Sequence, residues 1–332
     1  MVEFPPSLWA DLDGPVHYVD FGGPADGPLV VCVHGLGGSH ANWLAIAPQL
    51  ARTHRVLALD LGGFGLTRGG ARGTSVAANT RLLHRFLTEV AGEPAILLGN
   101  SMGGLIAALE AAEHPDDVRG LALLDPALPL YLSSRTSRPE PLVVIAFALY
   151  LAPGLGALFQ RGRRTVRTPE QVARDILTFC CADPDRVPAD VLAAHLELAH
   201  RREAYTEMDA EFVAATRSLL RLLLGRRRVL RTLSRITCPV LLLHGEADRL
   251  VRVGSAGRVA AANPRWRFVV VPRVGHVPML EDPEFTLREL GEWLPTLSVG
   301  ESAGESAGEP AARRSGYRTV DASSWGTDHP GR

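Results

Sequence analysis

Aromatic residues make up only 6% of this chain, cysteines number four, and the charges nearly cancel, leaving a formal net charge of -1. Each shortage removes a class of function. With no excess of either sign and no basic stripe interleaved with aromatics, the chain has no electrostatic footprint for nucleic acid or for a strongly acidic partner. Cys32, Cys180, Cys181 and Cys238 lack metal-ligand spacing, and two of them lie in apolar strand-like runs. They read as reduced thiols, so no metal is expected and the cytoplasm is the expected compartment. Met1 to Asp13 carries acids and prolines with no charged-then-apolar leader, so neither a secretory signal nor an anchor is expected there. No G-x-G-x-x-G opens a helix after the first buried strand, and Gly62-Gly63-Phe64-Gly65 lacks a following Lys-Ser/Thr pair. No nucleotide or other cofactor is therefore expected.

What is present is an apolar chain of 332 residues, 46% hydrophobic, long enough for one large domain with an insertion. Leu8 to Asp13 and Val16 to Phe21 flank Gly14-Pro15 and predict an edge hairpin. Leu29 to Val33, Val56 to Asp60, Ala95 to Asn100 and Leu121 to Asp125 are continuous apolar runs, and Pro239 to His244 and Arg267 to Val271 add two more. Such runs predict parallel strands buried on both faces. Helices are expected over 41–52, 75–90, 102–114, 255–262 and 283–294. The fold class is thus α/β, a mostly parallel eight-stranded sheet with helices on both faces.

Ligands of an open parallel sheet bind beyond the carboxyl ends of its strands. The residues just after the runs are His34-Gly35-Leu36-Gly37-Gly38, Asp60 to Gly65, Gly99-Asn100-Ser101-Met102-Gly103-Gly104, Asp125-Pro126, His244 to Asp248 and Gly275-His276. One nucleophile, a flexible glycine loop, two acids and a base therefore share one edge. The G-x-S-x-G stretch at Gly99 to Gly103 joins an apolar strand to an apolar helix without a spacer. Such a turn strains the serine backbone and lifts its hydroxyl above the sheet at a helix N-terminus.

On these motifs, with GHVPMLEDP at Gly275 to Pro283, the chain resembles the α/β-hydrolase fold family in its serine esterase and lipase branch. The resemblance implies a hydrolase core over 1–125 and 236–297, an inserted helical cap over 126–235 and a tail over 298–332. It implies Ser101 as nucleophile, His276 as base and Asp248 as the acid that orients it, with Asp125 the alternative acid. The oxyanion would be held by the backbone amides of Leu36 and Met102. His34, Asn100, Phe147 and Val277 are expected around the substrate. His34 and His244 read as loop braces, and His40, His54, His84, His114, His195 and His200 as surface or helix-end residues.

Pro141 to Gln160 is uncharged throughout, yet Pro153, Gly154 and Gly156 break it, leaving half the roughly twenty residues that a spanning helix needs. It is expected to be a buried cap helix over an apolar pocket. The alternative is a surface helix touching lipid, helped by the arginines at 161, 163, 164 and 167. Three more cap helices are expected over 169–181, 189–204 and 208–224, with Arg226 to Arg228 a solvated face. The repeat after Leu297, Gly-Glu-Ser-Ala, has no apolar period and predicts disorder.

The expected activity is hydrolysis of a carboxylic ester with a hydrophobic acyl or alcohol group. Asn100 before the serine is similar to carbon-carbon hydrolases of meta-cleavage products, but Val277 after the histidine and the HGLGG loop depart from them. A non-catalytic binding member of the fold is the other alternative. The partner is a small molecule, and the oligomeric state is left open.

Overall fold

The computed structural model describes residues 5–129, 140–152 and 154–298. The tail expected after 298 lies outside them. Eight strands form one sheet: β1 (Ser7–Asp11), β2 (Pro15–Asp20), β3 (Leu29–Val33), β4 (Arg55–Leu59), β5 (Ala95–Asn100), β6 (Val118–Leu124), β7 (Val240–Gly245) and β8 (Arg267–Val271). Their order is β1-β2-β4-β3-β5-β6-β7-β8. β1 and β2 pair antiparallel, as do β2 and β4, and every other neighbouring pair is parallel. The chain leaves β3 towards β4 on one side and returns to β5 on the other, so the order reverses between β3 and β5. That reversal opens the crevice in which open α/β sheets bind ligands.

The continuous apolar runs have a simple cause. Successive side chains of a strand point to opposite faces, and here both faces are covered. Val31, Val33, Leu97 and Leu242 belong to the core on one side, while Val30, Cys32, Leu98 and Leu243 belong to the core on the other. β8 departs from the expectation of a buried strand. It is the sheet edge and has only one neighbour, so Val270 is 38% exposed.

The core helices are α1 (Val76–Arg85), which continues into a wider turn at Phe86–Ala91, and α2 (Ser101–Glu113). No single helix spans 41–52, contrary to expectation. Pro48 cannot donate to the carbonyl of residue 44 and its ring would collide there, so the segment divides into a short turn at His40–Trp43, capped by Ser39, and another at Ala47–Leu50.

Between β6 and β7 the chain is helical: α3 (Pro141–Leu151), α4 (Leu155–Val166), α5 (Pro169–Cys180), α6 (Ala189–Arg201), α7 (Met208–Leu224) and α8 (Arg226–Leu233). α9 (Val253–Ala262) and α10 (Pro283–Trp293) complete the core. The expectation that α3 is buried is corrected: only Val143 and Tyr150 are, while Leu142 is 65% and Ile145 57% exposed. A helix apolar all round hides only the side that meets a neighbour. Here that neighbour is α7, whose Arg217 donates to the carbonyls of Tyr150 and Ala152 and caps the end of α3.

Candidate active site

Ser101 sits where β5 becomes α2, with φ +51°. That left-handed conformation strains a residue carrying a β-carbon, and the neighbouring glycines explain how it persists. A β-carbon at Gly103 would stand 2.2 Å from the Val33 carbonyl oxygen, and one at Gly99 would stand 2.6 Å from Cα of Gly104. Only glycine lets the strand, the turn and the helix approach this closely. The first amides of α2, Met102 among them, lack intrahelical acceptors and carry the positive end of the helix dipole.

His276, buried after β8, places Nδ1 2.7 Å from Asp248 Oδ2. Its loop is fixed to the elbow: the Asn100 side-chain amide donates to the carbonyl of His276 at 3.1 Å and to that of Leu124 at 2.9 Å. Its own amide donates to the Cys180 carbonyl at the end of α5, which ties the inserted helices to this loop. Gly275 permits that contact, since a β-carbon there would lie 2.3 Å from the same oxygen.

Asp248 is fully buried, and Oδ1 accepts the amides of Leu250 and Val251. Burial pushes its carboxyl up, but the charge of His276 and the hydrogen bond to it prevail, so its pKa is lowered. Asp125 lies beside it, equally buried, with Oδ1 accepting the amide of Gly245. Burial first and the Asp248 charge second hold Asp125 well above the usual carboxylate range. Negative charge is thus favoured on the carboxylate that faces His276. His244 donates Nε2–H to the Val251 carbonyl at 2.7 Å, and burial lowers its pKa.

Four residues expected around the substrate fall in different places. The ring of His34 is engaged on both nitrogens, by the Gly35 carbonyl and by the Leu61 amide, and burial lowers its pKa to about 4. It braces two loops. The Asn100 amide is likewise committed, as above. Val277 is buried next to His276, and Phe147 is half-buried on α3. The glycine loop is covered instead by Phe212 of α7, which sequence reading missed. A β-carbon on Gly37, where φ is +74°, would come within 3.1 Å of its ring, and Phe64 and Tyr150 pack around it.

His17 was also missed, and two histidines expected at the surface or a helix end are placed otherwise: His40 opens the His40–Trp43 turn but is buried, and His195 lies inside α6, where burial lowers its pKa to about 4. His17 Nδ1 lies 2.7 Å from Asp60 Oδ2, and His40 Nδ1 is 3.0 Å from the same oxygen, all three residues being buried. Asp60 also accepts the amides of His40 and Leu66. Among the described residues, three groups come close enough to share a cation: His17, His40 and Asp60; His84, Glu110 and His114; and Asp125, His244 and Asp248. In the first group the ring nitrogens nearest Asp60 are engaged by its carboxylate, whereas in the third His244 Nδ1 and Asp125 Oδ2 have no hydrogen-bond partner among the described residues.

Residues 30–289 match the model of the alpha/beta hydrolase family. The dihydrolipoyllysine-residue acetyltransferase component of the acetoin cleaving system of Cupriavidus necator is 40% identical over 119 residues, 36% of this chain. The chain spans only 31% of that relative's length. A monoacylglycerol lipase of Mus musculus is 24% identical over 280 residues, covering 83% of this chain and 78% of the lipase. Among solved structures, a membrane phospholipase A described as a bacterial virulence factor superposes with a TM-score of 0.66 at 27% identity, covering 88% of this chain and 86% of its own. No helix among the described residues is long and apolar enough to cross a membrane.

Proposed function

The chain belongs to the alpha/beta hydrolase family, and from that premise we propose that it is an esterase or lipase that works through an acyl-serine intermediate. The observation that carries the reading is the 2.7 Å His276–Asp248 pair, whose loop Asn100 ties to the strained helix-opening turn that bears Ser101. Ser101 Oγ attacks the ester carbonyl while His276 Nε2 takes its proton, and Asp248 fixes the tautomer and stabilises the imidazolium. The amides of Leu36 and Met102 receive the oxyanion, each such donor contributing about 10² to 10³ in rate. His276 then returns the proton to the leaving alcohol. Water, deprotonated by the same nitrogen, releases the acid and frees Ser101.

The helical segment 126–235 acts as the cap and selects the substrate. Phe212, Phe64 and Tyr150 near the glycine loop support a hydrophobic acyl or alcohol group. Names of the relatives agree, since one is a monoacylglycerol lipase and one a phospholipase. The free thiols of Cys32, Cys180, Cys181 and Cys238 favour the cytoplasm as compartment. Carbon-carbon hydrolysis stays the second reading, and the Asn100 amide on which it rests donates here to the carbonyls of Leu124 and His276. A fluorophosphonate probe with a panel of p-nitrophenyl esters tests the reading. Labelling at Ser101 with turnover is expected. Labelling without turnover of any ester would make the chain a binding member of the fold.

A further inference from the structure

We infer that the outer face of α3 and α4 is a docking surface for an anionic phospholipid bilayer. The inner side of α3 is fixed by Val143, Tyr150 and the capping Arg217. Its other side carries Leu142, Val144 and Ile145, all exposed, on a helix with no charged residue. Along α4, Leu155, Leu158 and Val166 are exposed too, at 46%, 66% and 76%. These positions recur on one side of a 3.6-residue period, and Gly156, about a third of a turn round from them, is buried against Tyr150. Two consecutive helices thus hold their apolar stripes outward, an arrangement that in a lone water-borne chain costs solvation free energy.

Charge decides what covers them. From Pro141 to Pro169 the chain has no acidic residue and four arginines, at 161, 163, 164 and 167, and Arg167 has Asp175 at 3.7 Å. The whole protein contains no lysine, so every cation here is a guanidinium, whose fork matches phosphate oxygens. Helical register puts positions 161 and 163 on the two flanks of the α4 stripe. An apolar stripe bordered by arginines is the pattern of a helix lying in the plane of a bilayer surface, its apolar side among the acyl chains and its cations among headgroup phosphates. A second copy of this chain would bring like charges face to face. α3 rests on α7, whose Phe212 covers the glycine loop, so docking brings the lipid surface to the helix that covers the site.

The inference does not rest on ester hydrolysis, because binding is read on full-length Ser101→Ala protein, which cannot turn over lipid under the proposed mechanism. Sedimentation with vesicles of phosphatidylcholine containing phosphatidylglycerol should carry the protein down, and vesicles of phosphatidylcholine alone much less. Adding Leu142→Asp with Leu158→Asp should weaken binding about tenfold or more, since each aspartate must leave water or leave the surface. Adding Arg161→Gln and Arg163→Gln should weaken it by about thirtyfold at low salt, at roughly 1 kcal/mol per arginine. Both sets in the Ser101-containing protein should leave turnover of a soluble acetate ester intact, which shows that the fold survives. Equal binding of parent and both variants, no binding of the parent, or a dimer in solution that the Leu142/Leu158 variant alone dissolves would overturn the inference.

Discussion

Two places in this molecule pair a buried histidine with a buried aspartate in the neighbourhood of a serine. At the edge hairpin, Ser7 Oγ lies 3.0 Å from His17 Nε2, whose Nδ1 lies 2.7 Å from Asp60 Oδ2. At the crevice, His276 and Asp248 repeat the second of those contacts at the same distance beside Ser101. The histidine–aspartate contact is therefore not what separates them. Ser7 stands in the antiparallel edge strand β1, paired with Val19, and not at the N-terminus of a helix whose free amides could receive an oxyanion. Ser101 opens α2 with φ +51° and faces the Gly35 to Gly38 loop, where a β-carbon on Gly35 would stand 2.9 Å from its own. The acids differ as well. Asp60 binds two histidines and two amides and so locks the loop from His40 to Leu66, whereas Asp248 turns one oxygen to a histidine and the other to two amides, beside an Asp125 carboxyl held well above the usual range.

The comparison breaks most directly at the serines. Ser101→Ala should cut kcat/KM by about 10⁴ to 10⁶ with the fold intact, because nucleophile and base act as a unit. Ser7→Ala should leave it within about twofold. If both variants lost activity alike, the contrast drawn from the oxyanion donors would fail. An active Ser101→Ala enzyme would end the serine mechanism altogether.

The aspartates sharpen it next. Asp248→Asn should lower kcat by about 10³ to 10⁴, since the amide favours the wrong imidazole tautomer, and should leave the urea midpoint little changed. Asp60→Ala should do the reverse. It removes a buried carboxylate from two histidines and two amides, at about 3 to 5 kcal/mol of stability. Asp125→Asn should cost at most about tenfold in activity, because the asparagine oxygen can still accept the Gly245 amide as Asp125 Oδ1 does. A larger loss for Asp125→Asn than for Asp248→Asn would move the catalytic acid to β6.

Acid should weaken both regions through buried histidines that stay neutral. Burial lowers His34 and His195 to about 4 from 6.5, so between those values the unfolded chain binds the extra protons. Stability is then present at pH 7 and falls as pH drops from about 6.5 towards 4, by about 2 kcal/mol per histidine at pH 5. Urea unfolding at pH 7 and pH 5 measures it, and His34→Gln should flatten the slope. An unchanged slope would mean that His34 charges in place without penalty.

Much of this was legible in the chain itself, and the exceptions have a common cause. The strands could be read because burial on both faces leaves an unbroken apolar run, and the elbow because only glycine fits at Gly99 and Gly103. The family, once recognised, pointed to His276 and Asp248. The His17–Asp60–His40 knot could not be read: it joins a strand, a loop and a turn, and Asp60 inside a glycine-rich stretch looks like loop polarity. A signal existed in hindsight, since an acid and two histidines in otherwise apolar surroundings need partners. Phe212 had none, because an apolar position on an amphipathic helix does not say which loop it will meet. The outward face of α3 failed for a related reason. A run of apolar residues states that burial is favourable, not that the chain supplies the cover.

The smallest expected effect concerns that non-local contact. If Phe212 walls the acyl site, kcat/KM for p-nitrophenyl esters should climb from acetate through butyrate to octanoate, at up to about fourfold per methylene buried, because each contributes roughly 0.8 kcal/mol. Palmitate should gain little more once the space is filled. Phe212→Ala removes a ring that packs against Phe64 and Tyr150 and stands over Gly37. It should therefore lower the octanoate rate by about three- to tenfold while leaving acetate nearly unchanged, and shift the optimum to longer chains. A uniform fall for all four esters would assign Phe212 to holding the glycine loop in place and not to contact with substrate. A profile unmoved by the substitution would place the acyl chain elsewhere, with Phe147 and Val277 the residues to vary next.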